Sequence, residues 1–147
     1  MKIIIVLTVI LQSLSVKGQN PVTWSFAVKN LTNKTYEVHL TPVVQHPWHI
    51  YSQTSPEGGA LPTTIRFNKN PFLSLEGKVK ETGKLVSKYE EVFEATVKYF
   101  EGKVDFVQVI KIKGEGKTNL SGAIQFMACN NEQCLTPQTV NFNIPIH

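Results

Sequence analysis

Thr35-Tyr36-Glu37-Val38-His39-Leu40-Thr41-Pro42-Val43-Val44 is the stretch that sets the fold class. Tyr36, Val38 and Leu40 fall on one side of it and Glu37, His39 and Thr41 on the other. A repeat of two residues is the period of a half-buried β-strand, because successive side chains point to opposite faces. Outward from it, short runs rich in Val, Ile, Thr and aromatic residues recur, interrupted by turn chemistry. They cover residues 23–28, 48–51, 63–67, 73–79, 93–100, 104–112, 122–129 and 139–144. Glu101-Gly102-Lys103 and Gly114-Glu115-Gly116-Lys117 read as hairpin connections. The nearest approach to a helical stripe is residues 84–98, whose Val, Thr, Phe and Tyr content favours strand. About eight or nine strands without a helix imply an all-β antiparallel β-sandwich, immunoglobulin-like in the broad sense, forming a single domain. Trp24 and Trp48 are expected to anchor its core, joined by Phe67, Phe106, Ile110, Phe126 and Phe142.

The N-terminus reads differently. Lys2 precedes an apolar run at residues 3–11 broken only by Thr8, then small and polar residues reach Gly18 and Gln19. This is the pattern of a secretory signal peptide over residues 1–19, and the run is shorter than the roughly 18 to 20 residues that cross a bilayer. The remaining 20–147 would be an exported domain, large enough for its own core. The chain has 15 basic and 11 acidic residues; without Lys2 and Lys17 the excess falls from +4 to about +2. The basic residues are scattered singly, which argues against nucleic acid as a partner. Three glycosylation sequons, at Asn30, Asn33 and Asn119, matter only in a eukaryotic secretory pathway.

Few residues offer chemistry. His46 and His49 flank Pro47-Trp48 and read as surface histidines, because structural zinc needs four ligands and no second close pair of Cys or His accompanies them. No metal and no other cofactor is expected. No Ser-His-Asp set, phosphate-binding glycine loop or carboxylate pair supports a hydrolase or nucleotide enzyme.

Cys129 and Cys134 remain, separated by Asn130-Asn131-Glu132-Gln133. On a helix their side chains would diverge; across a hairpin they face each other at Cα distances of about 4.5 to 5.5 Å, within disulfide range. The even positions Ile124 and Phe126 read as core, so Cys129 is expected to face away from the sandwich interior, towards solvent or a covering loop. Pairing residue 129 with 134 conflicts with the even apolar set Val140, Phe142 and Ile144, and Pro137 is the expected place of the register break. A loop this short restrains the unfolded chain by only about 2 kcal/mol, against about 5 for a 100-residue loop. Both a structural staple and a working dithiol stay open on these residues, the staple favoured because most exported cysteine pairs are structural.

Phe126-Met127-Ala128-Cys129 through Cys134-Leu135-Thr136-Pro137 resembles the cysteine hairpin of the N-terminal periplasmic domain of DsbD, the bacterial thiol:disulfide interchange protein. Trp48-His49-Ile50-Tyr51-Ser52, Gly59-Ala60-Leu61-Pro62-Thr63 and Gly77-Lys78-Val79 resemble the same family in the right order, especially its stand-alone Bacteroidetes-type versions. The resemblance implies an immunoglobulin-like fold and a periplasmic redox relay through Cys129 and Cys134, a disulfide-interchange component rather than a stand-alone enzyme. It implies thioredoxin-like partners, exchange through a mixed disulfide, and Cys134 as the sulfur attacked first. It also implies a cap loop at about residues 86–93, with Tyr89 and Phe93 as shields and Glu90 or Glu91 as modulators. This sequence departs from the family in three ways. It ends at His147 without the membrane section and thioredoxin-like domain of DsbD, which implies a separate membrane thiol transporter. Its intercysteine loop is one residue short, and Thr136 precedes a single proline. A monomer without stable membrane insertion is expected. The rival is an exported immunoglobulin-like binding module with an inert disulfide.

Overall fold

The computed structural model describes residues 20–147; the expected signal peptide lies outside them. Nine strands follow in order: β1 (Val22–Thr32), β2 (Thr35–Val44), β3 (His49–Tyr51), β4 (Thr64–Phe67), β5 (Leu73–Glu90), β6 (Ala95–Ile112), β7 (Thr118–Phe126), β8 (Ala128–Cys129) and β9 (Gln138–Ile146). All pairings are antiparallel. The larger sheet runs β1-β2-β6-β3-β8 with β5 on the other edge of β6, and the smaller sheet runs β4-β7-β9. Among the described residues no helix is long and apolar enough to cross a membrane.

The period-two pattern of β2 explains its place. Val38 and Leu40 are fully buried, while Glu37 and His39 face out, where His39 Nδ1 lies 2.7 Å from Asp105 Oδ2. The inward residues of both sheets interleave into one core that includes Val38, Leu40, Phe106, Ile110, Leu120, Ile124, Phe126 and Phe142. Trp24 closes it, packing 5.8 Å from Phe106 and 5.4 Å from Phe126 between ring centroids. Trp48 and Phe67 are only partly buried against this core. The result is an immunoglobulin-like antiparallel β-sandwich.

Two expected hairpins are absent. Glu101-Gly102-Lys103 lies inside β6, not at a turn. Gly83 pairs with Val104 and Leu85 with Phe100, so three residues of β6 sit opposite Lys84 alone. This is a bulge, which Gly102 permits with a φ of 75°. At the bulge β6 changes partner, from β2 through Val43↔Lys103 to β3 through His49↔Glu101. Residues 114–117 join β6 to β7, but these strands belong to different sheets. Both edges of β7 are taken by β4 and β9, so the segment is a crossover.

The bulge divides the larger sheet into two regions that pack differently. Above it one face of β6 is covered by the sandwich. Just below it both faces are covered, by Phe100 on one side and by Val97 and Tyr99 on the other. Phe100, Ile50 and Ala128 point into the sandwich, while Val97, Tyr99, Tyr51 and Cys129 point to the reverse face and form a second cluster.

Candidate functional site

The second cluster is assembled around the cysteines. After Phe126 the chain leaves the smaller sheet at Met127, and Ala128 and Cys129 add to the larger one as β8. There Cys129 pairs with His49 and Ala128 with Ile50. The register conflict expected near Pro137 has its physical basis in this change of sheet. Phe126 pairs with Gln138, whereas Cys129 bridges Cys134, one residue out of step. Met127 on one side and Pro137 on the other lie outside the strands that flank the shift.

Cys129 and Cys134 are disulfide-bonded, with Cα atoms 4.0 Å apart. The loop between them is set by Asn130. Its N–H donates to the Gln133 carbonyl at 2.8 Å, and its Oδ1 accepts from the N–H groups of Glu132 and Gln133, each at 2.8 Å. This is the local side-chain-to-backbone bonding that makes Asn a turn residue. Leu135 N–H donates to the Ala128 carbonyl and closes the tip. The two sulfur-bearing residues differ sharply in access: Cys129 is 1% exposed and Cys134 is exposed.

Cys129 faces away from the sandwich interior, and covering segments rather than water meet it. One cover is the tip of the β5–β6 hairpin at residues 91–94. Phe93 from this tip packs into the cluster with Val86, Leu61, Tyr51, Val97, Tyr99 and Met127. The other is the loop at residues 52–62. Glu81 holds its start, accepting from Ser52 Oγ and from Gln53 N–H, both at 2.6 Å. Ser55 Oγ accepts from Lys98 N–H at 3.1 Å. The loop brings Gly59 against the Phe93 ring so closely that a Cβ there would overlap Cβ, Cγ and Cδ1 of Phe93.

A cleft of about 370 Å³ opens beside the disulfide, lined by His49, Tyr51, Glu90, Phe93, Cys129 and Cys134 among others. Of the cap residues expected from sequence, Phe93 and Glu90 reach this cleft. Tyr89 does not: it is 59% exposed and lies on the face of β5 turned away from the cleft. Period two places it opposite to Glu90 and Lys88, which both line the cleft and lie 3.4 Å apart as an ion pair. Glu91 is exposed on the turn.

His49 overturns its expected place on the surface. It is 7% exposed, stacked on Tyr99 with centroids 4.3 Å apart, and its Nε2 lies 3.2 Å from the Tyr51 hydroxyl. His46 is exposed. Burial pushes the His49 imidazole below its ordinary range; Glu101 and Glu90 pull it partly back and Lys88 pushes it further down. Burial, with Glu90 and Tyr99, pushes Tyr51 up to about 12. Tyr99 is raised for the same main reason. The missed signal was local: His49 and Tyr51 flank Ile50, so a core Ile50 puts both rings on the reverse face.

No protein-family model and no curated protein sequence matches the chain. Among solved structures, it is similar to the N-terminal periplasmic domain of ScsB from Proteus mirabilis. The TM-score is 0.62 at 14% identity, over 89% of this chain and 49% of that one. It thus spans about half the length of that ScsB chain. It is also similar to the DsbD N-terminal domain of Neisseria meningitidis, solved in the reduced form. There the TM-score is 0.55 at 13% identity, over 82% of this chain and 83% of that one. The chain therefore has the immunoglobulin-like fold of the DsbD and ScsB N-terminal domains, and it carries a bonded cysteine pair at the tip of that fold.

Proposed function

We propose that this protein is a periplasmic thiol–disulfide exchange module that relays electrons through Cys129 and Cys134. One observation carries the reading. An exposed Cys134 is bonded to a buried Cys129 beneath a cap, across a loop too short to stabilise the fold by more than about 2 kcal/mol. A bond placed to staple the chain would span a long loop; this one offers a single sulfur to a partner. The periplasmic setting of the similar ScsB domain, and the reduced form in which the DsbD domain was solved, support the same direction.

The exchange proceeds by displacement. A partner thiolate attacks Cys134 Sγ, the bond between the cysteines breaks, and Cys129 leaves with the electron pair and takes up a proton. The partner's second cysteine then displaces Cys134, leaving two thiols here and a disulfide on the partner. Thioredoxin-like periplasmic proteins are the partners of this chemistry, and a separate membrane thiol transporter is the complementary component. Phe93 shields the bond between encounters, and Glu90 modulates the charge around it.

The Cys129→Ser variant, left with the exposed Cys134, is expected to accumulate a mixed disulfide with thioredoxin-fold proteins, whereas Cys134→Ser accumulates far less. The equilibrium potential of the pair is expected above about −300 mV, outside the range of inert structural disulfides. A lower potential with no trapped complex from either variant leaves the inert binding module as the answer.

A further inference from the structure

His49 stands directly opposite Cys129 in the β3–β8 ladder. Facing residues of an antiparallel pair carry Cβ atoms about 4.5–5.5 Å apart on the same side of the sheet. Both line the cleft beside the disulfide. Whenever Cys129 is a thiol, it holds a proton that must leave before Cys129 can act as a nucleophile. Bulk water is poorly placed to take it, since Cys129 is 1% exposed.

We propose that His49 is the proton acceptor of Cys129 when the disulfide closes, a role that rests on the exchange reading above. In the mixed disulfide, Cys134 is bonded to the partner and Cys129 is a thiol. The Cys129 S–H bond breaks and its proton goes to the His49 imidazole. The Cys129 thiolate attacks Cys134 Sγ, the Cys134–partner bond breaks, and the electron pair leaves on the partner's sulfur. Two cysteines are oxidised here and the partner's disulfide is reduced by the same two electrons. In reverse, imidazolium His49 returns the proton to Cys129 as it leaves.

The surroundings suit an acceptor. Burial lowers the imidazole from its ordinary range, which favours the neutral form that can take a proton. The Tyr51 hydroxyl engages Nε2 and leaves Nδ1 for another partner. Stacking on Tyr99 fixes the ring plane. The charged and titratable groups around it are Tyr51 on its own strand, Tyr99 and Glu101 of β6, and Lys88 and Glu90 of β5. Cys129 of β8 and Glu132 of the loop share the cleft rim. Glu101 and Glu90 favour the imidazolium once it forms, and Lys88 opposes it.

Dithiobis(nitrobenzoate) added to the fully reduced protein tests this. The first thionitrobenzoate released reports attack by the exposed Cys134. The second reports closure by Cys129. At pH 7, His49→Gln and His49→Phe are expected to slow the second release on the order of 10²-fold, the low end of positioned acid–base catalysis, and to leave the first release nearly unchanged. As the pH rises, hydroxide takes over removal of the thiol proton and the variants converge on the wild type. His49→Phe keeps an aromatic ring against Tyr99, so a purely packing role leaves that variant fast. Equal slowing at every pH, or no slowing, overturns the assignment to His49 alone. Release of a single equivalent by the folded wild type overturns the exchange reading and the role of His49 with it.

Discussion

The larger sheet separates two hydrophobic chambers made of different material. On its inner face the sandwich core is aliphatic with interspersed phenylalanines, and the polar side chains it takes in, Gln108 opposite Val38 and Trp24, are ones that do not titrate. On the reverse face, below the bulge at Gly102, the chamber around Cys129 is built from Tyr51, Tyr99, Met127 and Phe93, with His49 stacked among them. Tyrosine and histidine combine apolar area with a polar handle, and that handle must find a partner when buried. The inner chamber is thus suited to stability alone. The outer one holds titratable groups in a place where burial shifts them, and one of its walls is a turn, the tip of the β5–β6 hairpin.

The inner chamber is where a single substitution costs most. Phe106 is fully buried and touches both Trp24 and Phe100. Phe106→Ala is expected to cost about 3–5 kcal/mol in denaturant unfolding, the usual range for a buried phenylalanine. At temperatures where the variant stays folded, its rate of disulfide exchange is expected to match the wild type. A changed exchange rate means that the two chambers communicate through the sheet.

The unequal legibility of the sequence follows the same division. The inner chamber is written in period two along Thr35–Val44 and at Ile124, Phe126 and Phe142, so the fold class and most core residues could be read directly. The cysteine pair could be read too, since a four-residue spacer closes only across a hairpin. The outer chamber depends on contacts between residues distant in sequence. His49 meets Cys129 across 80 positions because β8 leaves one sheet for the other at Met127, and no local pattern announces that step. Glu101-Gly102-Lys103 has the composition of a turn and serves as a bulge, because partners on both edges of β6 keep the strand going. The resemblance to DsbD implies Tyr89 as a shield of the bond. The alternation of β5 instead sends Glu90 to the cleft and Tyr89 to solvent.

A milder perturbation acts on the outer chamber through pH. The Tyr51 hydroxyl is raised to about 12, chiefly by burial, whereas an unfolded tyrosine ionises near 10. The unfolded chain therefore loses this proton first as pH rises. The contribution is fully present below about pH 10 and is lost progressively up to about pH 12, at most about 3 kcal/mol at 1.4 kcal/mol per unit. Tyr51→Phe is expected to flatten that part of the alkaline stability curve, read as urea midpoints across this window. An unchanged alkaline slope in Tyr51→Phe means that the chamber is wet enough to ionise freely.

The smallest expected effect tests the wall itself. Gly59 has no need of glycine's conformational freedom, since its φ is not positive; what it supplies is room for Phe93. A methyl group there meets the Cβ, Cγ and Cδ1 atoms near the root of the phenylalanine, so a small rotation of the ring tip cannot relieve the overlap. The side chain or the hairpin tip must move. Gly59→Ala is expected to cost about 1 kcal/mol, the low end for overpacking, and to speed reduction of the disulfide by dithiothreitol several-fold by uncovering Cys129. Phe93→Ala is expected to speed it as well. The decisive measurement is a double variant that removes the whole side chain, Gly59→Ala with Phe93→Gly, because the Phe93 Cβ that an alanine keeps also lies 2.6 Å from the added methyl: Gly59→Ala should then have no further effect on the rate. If the two effects instead add, Gly59 acts on the loop at residues 52–62 independently of Phe93, and the cover over Cys129 is two separate pieces.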